Sequence, residues 1–157
     1  MTRILALAAG DAGHAIVHRL GERFPAIRFG GVGDAIDEAW LDGVGCVVIA
    51  GVRELCDSLV DIAAFCERRS APLVTAFLGV RELRVTAVRG GGLDDVRLEQ
   101  ARLEYAPSGY LPQHIRCAAF MIAAMIEDLP WGVGAGTVRI LDLFENALSI
   151  VRVAADA

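Results

Sequence analysis

The sequence predicts an α/β fold: a Rossmann-like, mostly parallel sheet that closes with a C-terminal antiparallel β-hairpin. Three observations predict it. Apolar runs of strand length alternate with segments whose apolar residues recur at helical spacing, the pattern of a sheet covered by helices. A glycine-bearing turn joins the first run to the first helical segment in "LALAAGDAGHAIVHRL", Leu5 to Leu20. The last two runs, "TVRILDLF" and "ALSIVRV", flank Glu145–Asn146, a hairpin spacing.

Each element has its own warrant. Arg3 to Ala9 is continuously apolar after its first residue, as in a strand buried on both faces. Ala12 to Arg23 reads as a helix with Ile16, Val17 and Leu20 on one side, and Ala26 to Val32 as a second strand. "DAIDEAWLDG" reads as a short acidic helix that Gly43 ends. "VGCVVIAG", Val44 to Gly51, is the plainest strand. After it Leu55, Leu59, Ile62, Ala63 and Cys66 mark a helix running to Arg69. Pro72 introduces "LVTAFLG", and "LRVTAV" is a fifth strand. Arg89 to Ser108 is mixed, with "RGGGLDD" a loop and "VRLEQARLEY" either a helical turn or an edge strand. A helix is predicted from Pro112 to Leu129, with proline in the first turn, where a missing N–H costs nothing. No internal repeat or Pro/Gly/Ser-rich linker interrupts the chain, so residues 1–157 are expected to form one Rossmann-like domain.

Composition excludes several functions. The net charge is −5 with no basic cluster, which argues against a phosphate-tracking nucleic-acid surface. All 15 basic residues are arginine, so chemistry that needs a lysine, such as a GxxxxGK[ST] loop or a Schiff base, is ruled out. Cys46, Cys56, Cys66 and Cys117 form no CxxC pair, so no structural zinc site is expected. They read as small core residues of a reducing cytoplasm, with Cys117 set apart because His114 lies a helical turn away. The first apolar run stops at Asp11 and "CAAFMIAAMI" is too short to cross a bilayer, so neither a signal peptide nor a membrane association is expected. With 55% hydrophobic residues, a chain of this size is expected to hide part of its surface in a homodimer.

The turn carries the candidate site. A dinucleotide turn reads GxGxxG; here the corresponding residues are Ala8, Gly10 and Gly13. A phosphate would sit on the N–H groups that open the helix, where the helix dipole favours an anion. Asp11 would repel it unless it caps the helix and faces solvent. The turn is either a working nucleotide site or a purely structural βα turn. Asp34 lies about 20 residues past the glycines, the distance of the acid that bonds a ribose. It could equally cap "AIDEAWL". His14, near the helix start, reads as a solvent or phosphate contact. His14 and His18 stand one turn apart, a metal-compatible spacing with no third ligand evident, so no metal site is expected.

Three segments together resemble the ThiF/MoeB family of ubiquitin-activating-like adenylyltransferases. These are "ILALAAGDAGHAI", "CVVIAGVRELCDSLVDIAAFCERRSAPLVTAFLGVRELRVTAVRGGG", and the helix from Pro112 to Leu129 with the hairpin "GTVRILDLFENALSIVRV". The resemblance covers about two-thirds of the chain. It implies ATP binding, a dimer, and a small ubiquitin-like or sulfur-carrier protein as partner. Gly10, Asp11, Gly13 and His14 then fall on the phosphate turn, and Asp34 on the ribose position. The family's segment after the second strand, with its Asn, Arg and Lys for ATP, is missing, and its magnesium-holding aspartate falls near Ala50 and Gly51. The expected function is therefore a reduced nucleotide-binding domain, degenerate in adenylation and acting as a partner subunit of a carrier-protein or modification system. Two alternatives stand beside it. One is an NAD-binding Rossmann protein, an oxidoreductase or a redox sensor; the other is a divergent relative of the tubulin/FtsZ GTPases, whose opening "GDAGHAIVHRL…AIRFGGVGDA" resembles. A third reading is a nucleotide-free binding module acting through Phe120 and Met121, or through the loop that carries Arg97, Arg102, Tyr105 and Tyr110.

Overall fold

The structure, a computed structural model, describes residues 3–31, 42–51, 56–88, 112–128, 137–145 and 147–152. The elements run β1 (Arg3–Ala8), α1 (Gly10–Gly21), β2 (Ile27–Gly31), β3 (Val44–Gly51), α2 (Cys56–Arg69), β4 (Leu73–Leu78), β5 (Glu82–Val88), α3 (Pro112–Asp128), β6 (Thr137–Asp142) and β7 (Ala147–Arg152). The acidic segment 34–41 and the loop 89–108 lie outside the described residues.

Seven strands form one sheet in the order β2-β1-β3-β4-β5-β6-β7. The ladders β1–β2, β1–β3 and β3–β4 are parallel; β4–β5, β5–β6 and β6–β7 are antiparallel. The fold is the Rossmann-like α/β arrangement expected from sequence, and its antiparallel part begins at β5, ahead of the hairpin.

Strand alternation divides the core in two. Ile4, Ala6 and Ala8 of β1, with Cys46, Val48 and Ala50 of β3, face the layer built by α1 and α3. Leu5, Leu7 and Ala9, with Val47 and Ile49, face Ile62, Phe65 and Cys66 of α2. Both sides of the central strands are thus covered, which is why they read as unbroken apolar runs. α1 buries Ile16, Val17 and Leu20, each worth about 1.5–3 kcal/mol when fully removed from water. Phe77 of β4, also fully buried, joins the same cluster as Leu5 and Leu7.

The sheet's ends are less covered. On β7, the terminal strand, Leu148 and Ile150 are exposed, and on β2 at the other end Phe29 is half exposed. The hairpin between β6 and β7 is held by Asp142, whose Oδ1 accepts the N–H groups of Phe144 (2.9 Å) and Glu145 (3.0 Å). These bonds hold the carboxyl below its ordinary range. No helix among the described residues is long and apolar enough to cross a membrane.

Candidate functional site

β1 pairs with β2 on one side and β3 on the other, so the strand order reverses at β1. In open α/β sheets, ligands bind beyond the C-terminal ends of the strands at such a reversal. The β1–α1 turn stands at this point. Ala9 is extended (φ −123°, ψ 129°) and donates its N–H to the Ala50 carbonyl at 3.0 Å, tying the turn to the end of β3. Gly10 then takes φ +70° and the helix begins. A side chain at that left-handed φ costs roughly 1–2 kcal/mol, so the residue's identity follows from the sharpness of the turn. A Cβ built on Gly10 would meet nothing within 4 Å among the described residues.

Gly13 serves a different purpose. A Cβ on it would lie 2.4 Å from the Ala50 carbonyl oxygen and 3.2 Å from the Gly51 Cα. α1 therefore rests backbone to backbone on the end of β3. Gly51 has the same property in reverse, since a Cβ there would sit 3.0 Å from the Ala9 Cβ. The crevice floor is thus Ala8, Ala9, Gly10, Ala50 and Gly51, a set with no side-chain donor or ligand.

The structure divides the predicted site residues. The helix starts at Gly10, not Ala12, and its N-cap is Ala9, which makes no side-chain capping bond. Asp11 is therefore not the cap. It is exposed in the first turn, where the dipole favours its charge and solvent takes its side chain. The first four N–H groups of α1 have no intrahelical acceptor, as at any helix start. His14 lines a cavity of about 440 Å³ with Ala8, Val17, His18, Phe29 and Gly30. His14 thus stands in the cavity wall, Gly10 is exposed in the turn but is not part of that wall, Gly13 is buried, and Asp34 lies outside the described residues. Sequence reasoning missed Phe29, Gly30 and His18 as cavity walls. The signal for His18 was its spacing from His14. For Phe29 it was alternation with Ile27, which puts both on the α1 face of an edge strand.

No protein-family model matches the chain, and no curated protein matches it in sequence. Solved structures do. A heterocyclase in complex with substrate and cofactor superposes over 97% of this chain and 24% of its own, with TM-score 0.64 and 12% identity. The E. coli microcin synthetase McbBCD complex matches over 99% of this chain and 68% of that one, with TM-score 0.61 and 10% identity. E. coli MccB with ATP matches over 99% and 65%, with TM-score 0.60 and 11% identity. At 10–12% identity these likenesses show a shared fold. The chain spans about a quarter of the heterocyclases and about two-thirds of MccB.

A second cavity, about 550 Å³, lies between α1, α3 and the hairpin, walled by Arg116, Cys117, Phe120, Met121, Leu141 and Leu148 among others. Phe120 is 68% exposed, whereas Met121 is buried, so only the first of this pair is available to a partner. The half-buried Cys117 lines this groove, and His114 does not. Cys46 and Cys66 are buried, and burial pushes the Cys66 thiol up to about 12, a backbone hydrogen bond opposing it only in part. Such a thiol is inert at neutral pH.

Proposed function

We propose that this chain is a ThiF-like nucleotide-binding domain that takes ATP at the β1–α1 turn. It acts as a partner or accessory subunit in a modification system whose substrate is a small carrier protein or peptide. The observation that carries this reading is the open, left-handed Gly10 at the strand-order reversal, ahead of a helix start that rests directly on β3. An ATP phosphate fits there in kind: the unpaired N–H groups of a helix start, no side chain in the way among the described residues, and Asp11 exposed to solvent. The likeness to MccB with ATP, to MccB with MccA, and to the McbBCD complex supports the nucleotide and the partnership.

The domain binds without adenylating. Phosphoryl chemistry needs cations set against developing charge. At the end of β3 the residues are Ala50 and Gly51, both buried and without a ligating side chain. The protein is a homodimer, a reading supported by the exposed Phe120, Leu148 and Ile150 beside the α3 groove. It works in the cytoplasm, a reducing compartment that suits the buried thiol of Cys66.

A thermal-shift panel of ATP, GTP, NAD and NADP, with and without magnesium, tests the reading. ATP near a hundred times its Kd stabilises by about 2.7 kcal/mol. A shift with ATP and none with NAD is expected; the reverse favours the NAD-binding alternative, with Asp34 on the ribose. Robust pyrophosphate exchange with a carrier protein overturns the non-catalytic assignment.

A further inference from the structure

We propose that His14 and His18 form a two-imidazole site for a first-row transition-metal ion of the Zn²⁺, Co²⁺ or Ni²⁺ class, open to the cavity beside the glycine turn. Both residues lie within the regular span of α1, and four-residue spacing puts their Cβ atoms about 5–6 Å apart on one face. Both are exposed, and both line the same cavity, which the spacing alone did not guarantee. Metal–nitrogen bonds of about 2.0–2.1 Å let two rings one turn apart converge on a single ion.

The donor set selects the metal. Imidazole suits Zn²⁺, Co²⁺ and Ni²⁺, whereas Mg²⁺ and Ca²⁺ want oxygen. The other described walls, Ala8, Val17, Phe29 and Gly30, supply no carboxylate. Asp11 lies three residues before His14 but outside the cavity wall. Among the described residues no cluster of three or more His, Cys, Asp or Glu could hold a metal. Among the described residues the ion therefore has two protein ligands, His14 and His18, and its other positions are open to water or an anionic oxygen. His14 stands about 6 Å along the helix axis from Gly10. A phosphate held at the turn, on the nucleotide reading above, would be the natural further ligand, and metal and nucleotide would then tighten each other reciprocally.

The test uses the full chain without a histidine tag, titrated with Zn²⁺ alone by calorimetry and with Co²⁺ by visible absorption. One ion per chain is expected. His14→Gln and His18→Gln should each weaken binding by about tenfold or more, since each removes one arm of a chelate. His114→Gln, on α3, should leave it unchanged. His18→Gln combined with Arg19→His keeps three histidines but moves one off the shared face, and should bind as weakly as His18→Gln alone. Far-UV circular dichroism confirms that α1 is intact in each. Equal affinity in the wild type and the His14→Gln/His18→Gln double variant overturns the proposal. So does wild-type affinity in the displaced variant, or a thiolate-to-cobalt absorption band, which would put the ion on Cys117. An ATP thermal shift with and without Zn²⁺ then reads the coupling. Loss of the ATP shift with the metal titration intact refutes the nucleotide reading and leaves the metal site standing.

Discussion

Replacing Gly13 with alanine sets two effects of opposite sign against each other. In an exposed helix interior the change stabilises by about 1 kcal/mol, because glycine loses more backbone freedom on folding. Here the new Cβ would stand 2.4 Å from the Ala50 carbonyl oxygen and 3.1 Å from its carbon. Both are backbone atoms of a strand held by ladders to β1 and β4, so neither can swing aside. α1 must withdraw by about 1 Å to reach ordinary contact, and Ile16, Val17 and Leu20 move with it. Overpacking of this kind costs about 1–3 kcal/mol, the upper end applying when rigid groups collide. Against the propensity gain, a net loss of about 2 kcal/mol is expected, lowering Tm by about 4–8 °C for a chain of this size. Gly21→Ala is the control. Its Cβ would meet the far end of the Phe29 ring at 2.7 Å, on a half-exposed side chain that can rotate away. That variant should be neutral or slightly stabilised. Urea and thermal unfolding of the two variants decide the matter. If Gly13→Ala is as stable as Gly21→Ala, α1 does not rest on the β3 backbone, and the account of the crevice falls.

Other outcomes follow from single features. Thr75 and Thr86 are cross-strand partners on β4 and β5, fully buried, and neither hydroxyl has a hydrogen-bond partner among the described residues. Replacing both with valine should leave stability unchanged or raise it by about 1 kcal/mol in chemical denaturation, since an unpaired buried hydroxyl costs more than a methyl. The raised Cys66 thiol gives a pH signature. The unfolded chain ionises near the ordinary thiol value while the folded chain keeps its proton to about 12. Stability is then full below about pH 9 and falls towards pH 12, by at most about 1.4 kcal/mol per pH unit. Cys66→Ala should flatten that alkaline limb in unfolding titrations. Asp142 works in the opposite direction: with its carboxyl lowered, its support for the hairpin is present at neutral pH and is lost as pH drops through the lowered value. Asp142→Ala should speed amide exchange along β6 and β7 and leave β1 to β3 protected.

The parts most legible in sequence were those where one force dominates. The strand Val44–Gly51 was placed to the residue, because burial on both faces demands an uninterrupted apolar run bounded by turns. α2 ends at Arg69 as read, and α3 begins at Pro112, because proline and helical periodicity agree there. The start of α1 was misplaced by two residues. No residue type reports a left-handed φ uniquely, and Ala9 takes the N-cap position without any capping side chain. The direction of β5 was not readable either, since "LRVTAV" has the same composition in either orientation; the tight turn that sets it rests on Gly79 donating its N–H to the Glu82 carbonyl at 2.8 Å. In the site, the glycines were found from the fingerprint, but their separate duties were not. The backbone contact under Gly13 is a property of distant residues, Ala50 and Gly51, that no local pattern encodes.

The long reach of β6 sets how this chain must fold. β4 and β5 meet across a turn of a few residues, whereas the β5–β6 ladder joins positions about 50–60 residues apart. Closing so long a loop carries an entropic cost repaid only once the ladder zips, which makes this seam a slow step. Until it closes, β5 is a bare edge whose Leu83, Val85 and Ala87 are fully buried in the finished sheet. An apolar, unpaired edge is a template for another chain. β5 is therefore the strand most exposed to pairing with a neighbour's strand until its own hairpin arrives.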